Sequence, residues 1–293
     1  MEVKCKQQYE GNGFALYNGD SCEVMKAIPD NSVHYSIFSP PFAQLYVYSN
    51  SVRDLGNCRD TTEFYTQFEF ILKELYRIMM NGRLVSIHCM DLPTQKSRDG
   101  FIGISDFSGD IIRMMQDAGF IYHSRVTIWK DPVVAMQRTK ALGLLHKQIK
   151  KDSSMCRQGI ADYIVTFRKP GENPERIEHT NETFPVSKWQ NYASPVWMDI
   201  NQSKTLQKES AREEKDEKHI CPLQLDVIER CIELWTNEND IVFTPFLGIG
   251  SECYQALSMN RRAVGIELKE SYYNQAVANC KGIVSAPKMK KLF

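Results

Sequence analysis

Ser39-Pro40-Pro41-Phe42 is the tetrapeptide of this chain best suited to chemistry. Two consecutive prolines fix the backbone, so the carbonyl oxygens around them point in set directions. A serine hydroxyl precedes them and a flat aromatic ring follows. That set suits methylation of a planar amine. An exocyclic amino group is a poor nucleophile, because its lone pair is conjugated into the ring. The Ser39 hydroxyl and a proline carbonyl can accept its two hydrogens. The nitrogen is then drawn toward tetrahedral geometry with its lone pair aimed at a donor, while Phe42 stacks on the base. A Pro-Pro turn beside a core phenylalanine is the plainer reading of the same residues.

A second group lies far along the chain, at Phe246-Leu247-Gly248-Ile249-Gly250, with Glu267 placed 19 residues after Gly248. Glycines let a backbone approach a ligand closely, and a helix N-terminus favours anionic groups. A carboxylate at the tip of the next strand is placed to accept both hydroxyls of a ribose. Together these residues read as a nucleoside-cofactor pocket. The glycines alone would say no more than that a strand turns tightly into a helix.

Alternating strands and helices must position both groups, which predicts an α/β sheet. Phe14 to Tyr17 reads as a strand ending in the turn Asn18-Gly19-Asp20, with a short helix from Cys22 to Ile28. Val33 to Phe38 is a buried strand that the two prolines must end. Thr61 to Met80 is the clearest helix, with Phe64, Phe68, Leu72, Leu75 and Met79 at helical spacing and Asn81-Gly82 closing it. Leu84 to His88 is the next strand and Asp110 to Asp117 the next helix. Phe120 to Trp129 and Tyr163 to Phe167 read as two strands near an edge. After a polar stretch, Leu223 to Trp235 is a helix, Asp240 to Phe243 a strand, Glu252 to Met259 a helix and Ala263 to Ile266 a strand. Ser271 is expected to cap a last helix running to about Cys280.

The 293 residues are 42% hydrophobic and 25% charged, which fits a soluble globular chain able to bury a full core. No apolar run approaches the roughly 18 residues of a membrane span. The start of the chain carries no apolar leader, so a cytoplasmic location is expected. Nine cysteines, scattered and without a CxxC pair, argue against a disulfide framework or a zinc cluster. The 36 basic and 36 acidic side chains cancel, so any polyanion site must be a local patch. Residues 130–170 supply one, with nine Lys and Arg against three acids. Phosphate contact is the functional reading of that patch, with a solvated helix face as the alternative. Gln207 to Lys218 is nearly all polar or charged, and a mobile or solvated segment is expected there.

SPPF after a buried strand, followed far downstream by TPFLGIG and a strand ending in GIE, resembles the S-adenosylmethionine-dependent DNA methyltransferases that modify exocyclic amino groups. The catalytic motif comes first and the cofactor motif last, an order similar to the beta group of that family. Tyr17-Asn18-Gly19-Asp20 and His219-Ile220-Cys221-Pro222-Leu223 extend the likeness. The resemblance implies a Rossmann-like class I methyltransferase fold, with a mostly parallel seven-stranded sheet, circularly permuted motifs and an inserted recognition region. It divides the chain into a catalytic part (1–170), a target-recognition insert (171–216), a cofactor-binding part (217–283) and a basic tail (284–293). It makes Ser39, Pro40, Pro41 and Phe42 the methyl-acceptor site. Phe246, Gly248 and Gly250 would shape the pocket around the methionine part of S-adenosyl-L-methionine, with Phe38, Thr244 and Pro245 beside them. Glu267 would bind the ribose hydroxyls, Asp20 would lie near the adenine, and Pro222 would flank the carboxylate end. Two departures stand out. Thr244 replaces the family's aspartate, and Ser251-Glu252 replaces its paired threonines.

Serine ahead of the prolines favours cytosine N4 over adenine N6 as the acceptor within the family. Double-stranded DNA is the implied partner, with no membrane, and a role in restriction-modification follows; the resemblance also leaves a homodimer open. Tyr46 and Arg53, together with Lys130, Arg138, Lys140 and Lys147, are the candidate DNA contacts. Trp189, Tyr192 and Trp197 either join the core or wedge into DNA. His88 reads as a structural or cleft histidine, and no metal site is expected. The rival readings are a methyltransferase for RNA or a protein amide, and a DNA-binding relative that has lost its cofactor.

Overall fold

The computed structural model describes residues 3–41, 61–94, 96–139, 142–207 and 222–285. The chain opens with the hairpin β1 (Gln7–Gly11) and β2 (Phe14–Asn18), then α1 (Ser21–Met25) and β3 (Val33–Phe38). Next come α2 (Thr61–Ile78), β4 (Met79–Met90), the short β5 (Leu92–Pro93), α3 (Lys96–Asp99) and β6 (Ile104–Ser105). Then follow α4 (Phe107–Asp117), β7 (Ile121–Ile128), α5 (Pro132–Thr139), α6 (His146–Lys151) and β8 (Asp162–Arg168). The last third holds α7 (Val186–Tyr192), β9 (Val196–Trp197), α8 (Leu225–Trp235), β10 (Ile241–Thr244), α9 (Ser251–Ser258), β11 (Arg262–Glu267) and α10 (Glu270–Ser285).

Nine strands form one sheet in the order β1-β2-β11-β10-β3-β4-β8-β7-β9. Strands β2, β11, β10, β3 and β4 run parallel, while β8 is antiparallel to both β4 and β7. The stretch from β2 to β7 is the expected mostly parallel seven-stranded sheet. The hairpin strand β1 and the two-residue β9 extend it at its edges. β7 and β8 lie near one edge as expected, with β8 inside between β4 and β7 and only the two-residue β9 beyond β7.

Helices cover both faces, which is why β3 is a continuous buried run rather than an alternating one. On one face α2 packs Phe64, Phe68, Ile71, Leu72 and Leu75 with Phe107 and Ile111 of α4 and Val24 and Met25 of α1. These recur along α2 at spacings of three and four, so a single stripe of the helix is apolar. On the other face α8, α9 and α10 bring Val227, Ile228, Cys253, Ala256, Tyr273 and Ala276 onto the sheet. Full burial of each large side chain contributes about 1.5–3 kcal/mol.

Some boundaries move. Helix α2 ends at Ile78, and Met79 already pairs with Val33, so the following strand starts earlier than the hydrophobic pattern implied. Helix α10 starts at Glu270, so Ser271 sits in its first turn rather than at its cap. The segment after Lys169 is not a separate body. Its Trp197 is 1% exposed in the core, and Tyr192 donates to Glu233 of α8 at 2.9 Å. Trp189 of the same helix remains exposed. Most of the polar stretch Gln207 to Lys218 lies outside the described residues.

Candidate active site

Parallel strands send their carboxyl ends to one edge of the sheet, and in open α/β sheets ligands bind there, where the strand order reverses. Here the reversal falls between β10 and β3: α9 leads β10 outward to β11, and α2 leads β3 outward to β4. Both sequence motifs stand at that point. Ser39, Pro40 and Pro41 leave the end of β3, and the turn from Pro245 to Gly250 leaves the end of β10.

The glycine turn is built in detail. Gly248 and Gly250 have φ of +53° and +92°, in the left-handed region that favours glycine. A side chain at Gly250 would meet Ala276 Cβ at 3.0 Å, whereas one at Gly248 would stand in open space. Glu267 ends β11, and its carboxylate accepts from the Gly248 N–H at 2.8 Å and the Lys269 N–H at 2.9 Å. The end of β2 clamps this strand: Gly19 N–H donates to Glu267 O at 3.0 Å, and Asn18 Nδ2 to the same oxygen at 2.9 Å. Ser21 Oγ donates to Pro245 O at 2.6 Å, which ties α1 to the turn. Asp20 caps α1 by accepting from the Cys22 N–H at 2.9 Å.

The other expected cofactor residues divide by depth. Phe246 is half-buried, and its ring lies 5.6 Å from that of Phe38 and 6.2 Å from that of Phe68. Phe38 is fully buried, so it supports Phe246 from below rather than lining the cleft. Thr244 is also fully buried, and its Oγ1 accepts from the Phe246 N–H at 3.4 Å. A hydroxyl thus serves the turn where the family has a carboxylate. Pro222 is half-buried and lies ahead of α8.

Sequence spacing gave no hint of what stands behind Ser39. Its Oγ is 2.8 Å from His88 Nδ1, at the end of β4. His88 Nε2 is 3.2 Å from Asp162 Oδ2, at the start of β8, and Lys130 Nζ, just after β7, is 2.5 Å from Asp162 Oδ1. Four neighbouring strands, β3, β4, β8 and β7, supply the chain because β8 is antiparallel and begins where β4 and β7 end. Burial pushes the Asp162 carboxyl up, but His88 and Lys130 outweigh it and hold the group below its ordinary value. Residues 39, 88 and 162 are too far apart for any local motif to join them; only the strand order does so.

Lys130 was expected on phosphate and is instead turned inward onto Asp162, because a 2% exposed carboxylate needs a cation. Arg138 falls in α5, and Lys147 is exposed on α6. Phe42, Tyr46, Arg53 and Lys140 lie outside the described residues. The segment carrying the basic patch leaves the sheet beside Lys130 and returns at Asp162, so it springs from the same edge as the site.

A glycine turn and a Ser-Pro-Pro turn at one edge, on this strand order, belong to a Rossmann-like class I methyltransferase fold. The family model for DNA methylase, covering N6 and N4 methyltransferases, matches residues 33–278, and the chain belongs to that family. It is 22% identical to the type II methyltransferase M.HindIII of Haemophilus influenzae, over 89% of this chain and 93% of that one. The fold is shared with the Thermus thermophilus protein TTHA0409, a DNA modification methylase by its description, solved with S-adenosyl-L-methionine. That match has a TM-score of 0.69 at 22% identity, over 93% of this chain and 95% of the other. PvuII DNA methyltransferase, described as cytosine-N4-specific, matches with a TM-score of 0.68 at 16% identity, over 97% and 94% of the two chains.

Proposed function

We propose that this chain methylates the exocyclic amino group of a base in double-stranded DNA, with S-adenosyl-L-methionine as donor, and that the base is cytosine at N4 rather than adenine at N6. The cleft fits that cofactor. Glu267 stands where a ribose diol would bind, and the open side of Gly248 leaves room that a side chain would fill. Phe246, Gly248 and Gly250 would hold the methionine part, Asp20 would face the adenine end, and Pro222 with the start of α8 would flank the carboxylate. When bound, the cofactor supplies a methyl carbon on a sulfonium, so that a nitrogen–carbon bond forms as the carbon–sulfur bond breaks and its electron pair stays on sulfur. Ser39 and the carbonyls around Pro40 and Pro41 would hold the amino hydrogens and aim the lone pair.

The observation that carries this reading is the Ser39 hydroxyl, at the tip of β3 and 2.8 Å from an imidazole nitrogen. A hydroxyl whose hydrogen faces a histidine offers its lone pairs to an N–H donor. The favouring of cytosine rests on serine at this position and on the fold shared with a cytosine-N4 enzyme. The basic segment at the same edge supports DNA over a protein amide. A target base inside a duplex must leave the stack, at a cost of a few kcal/mol that contacts around the site would offset. The type II relatives support a place in a restriction-modification system.

The test is to incubate the protein with unmethylated DNA and cofactor, digest to nucleosides and read the products by mass spectrometry. N4-methylcytosine is expected, and its loss in Ser39→Ala with cofactor binding intact. N6-methyladenine would overturn the base assignment and keep the reaction class. No methylated base would overturn DNA as substrate.

A further inference from the structure

We infer that His88, backed by Asp162, is a proton-relay residue behind Ser39, receiving through the serine hydroxyl the proton that the base's amino group sheds on methylation. The inference rests on the reading of Ser39 as part of the acceptor site. It rests also on a geometry that reading does not require: Ser39 Oγ is hydrogen-bonded to His88 Nδ1, and His88 Nε2 stands in ion-pair contact, 3.2 Å from a buried carboxylate.

The direction of the line follows from its buried end. Asp162 is 2% exposed, and Lys130 pairs with its other oxygen at 2.5 Å. An ionised carboxylate attracts a proton to the nitrogen that faces it, so in this inference the neutral ring carries its proton on Nε2. Nδ1 then presents a lone pair, and the Ser39 hydroxyl donates to it. Both Oγ lone pairs are left for the amino group.

Attack by an amino nitrogen leaves that nitrogen positively charged until one N–H proton departs. The proton passes to Ser39 Oγ while the serine's own proton passes to His88 Nδ1. The serine ends unchanged and the imidazole cationic. Asp162 stabilises that cation across 3.2 Å, and the proton later leaves to solvent. The same three residue types serve nucleophilic catalysis in other folds. Here no bond to Ser39 oxygen is made, because the methyl group goes directly to nitrogen. His88 touches Ser39 rather than the base, so it is a positioning residue.

Burying an imidazole and a carboxylate costs stability that apolar residues would not. The two are 8% and 2% exposed, at the ends of strands that also bury Ile87, Cys89, Ile164 and Val165. Among the described residues, Asp162 faces His88 and Lys130 faces Asp162. Asp91, Asp106 and Arg125 act on the adjacent Cys89 thiol around the same strand end.

Two measurements test the relay. The first needs neither substrate nor cofactor. Nitrogen-15 spectra of the imidazoles, with His88 identified by its loss in His88→Asn, should show the proton on Nε2. They should also show an unprotonated Nδ1 whose shift moves in Ser39→Ala. A proton on Nδ1 would reverse the line and overturn the inference. The second is the pH dependence of kcat on DNA. His88→Asn can still accept from Ser39 but cannot take up a proton. It should lower kcat about 100-fold, leave the KM for cofactor within about twofold and remove the acidic limb of the profile. A variant with kcat within a few-fold and that limb intact would also overturn it. His88→Gln serves if the asparagine variant does not fold. Absence of any DNA methylation by the unaltered protein would defeat the substrate reading instead, and the spectra would still decide the relay.

Discussion

The least expected side chain near the site is Glu252, in the first turn of α9 where the family has a threonine. An acid in the first turn suits a helix N-terminus, yet this one is 5% exposed. Burial pushes its carboxyl up to about 8, and the Glu267 charge adds to the rise. The sign of the consequence is fixed. A carboxyl raised from an ordinary 4.5 to about 8 holds its proton in the folded chain and has lost it in the unfolded one. Folding is therefore penalised progressively as pH rises through that window, reaching a few kcal/mol above it. Denaturant titrations at pH 5 to 8 should show stability falling with pH. Glu252→Gln, which removes the charge, should flatten the curve and stabilise the protein at pH 8. An unchanged slope in the variant would show that Glu252 is not the group responsible.

At the scale of elements, the turn from β10 into α9 separates two kinds of glycine. Gly250, with φ of +92° and Ala276 Cβ 3.0 Å from where its side chain would start, is required by backbone and packing together. Gly250→Ala should cost roughly 1–3 kcal/mol of stability, read as a lowered midpoint in urea. Gly248, at φ of +53° with open space above it, should cost about 1 kcal/mol as alanine but weaken cofactor binding at least tenfold by calorimetry. Equal losses of affinity in both variants would show that Gly248 does not face the cofactor. Much of this was legible from residue order, because strand β10, the turn, α9 and the acid at the tip of β11 are one local unit. What escaped was whatever depends on strands meeting. The sequence Gln7–Gly11 is a polar edge strand without an apolar face to mark it. β9 is two residues long and exists only against β7. His88 looked like an isolated histidine because Asp162 reaches it from an antiparallel strand 74 residues later.

Over the whole molecule, the two ends of the sheet are built on opposite principles: the carboxyl ends of the parallel strands are left open for ligands, and the amino ends are locked. Arg83, fully buried near the start of β4, donates to the carbonyls of His34 and Glu175, each at 2.9 Å, and to the Asp240 carboxylate. Asp240 also accepts from the Asn237 N–H at 2.8 Å, and His34 Nε2 reaches Glu175 at 3.1 Å. One cluster thus ties β3, β4 and β10 to the segment after β8. His34, Glu175 and Asp240 lie close enough together to suggest a cation site. The Ile241 N–H, however, donates to His34 Nδ1 at 3.1 Å, which puts the ring proton on Nε2 and leaves no lone pair facing the acids. Arg83 already supplies the cation. Removing one partner of such a pair strands the other charge inside the protein. Asp240→Ala should therefore destabilise the fold by about 3–5 kcal/mol in chemical denaturation. Because the cluster lies at the far end of the strands, cofactor affinity below the unfolding transition should stay within about twofold. A large loss of affinity in folded Asp240→Ala protein would mean that the locked end sets the geometry of the open one, and that the two ends of the sheet are not independent.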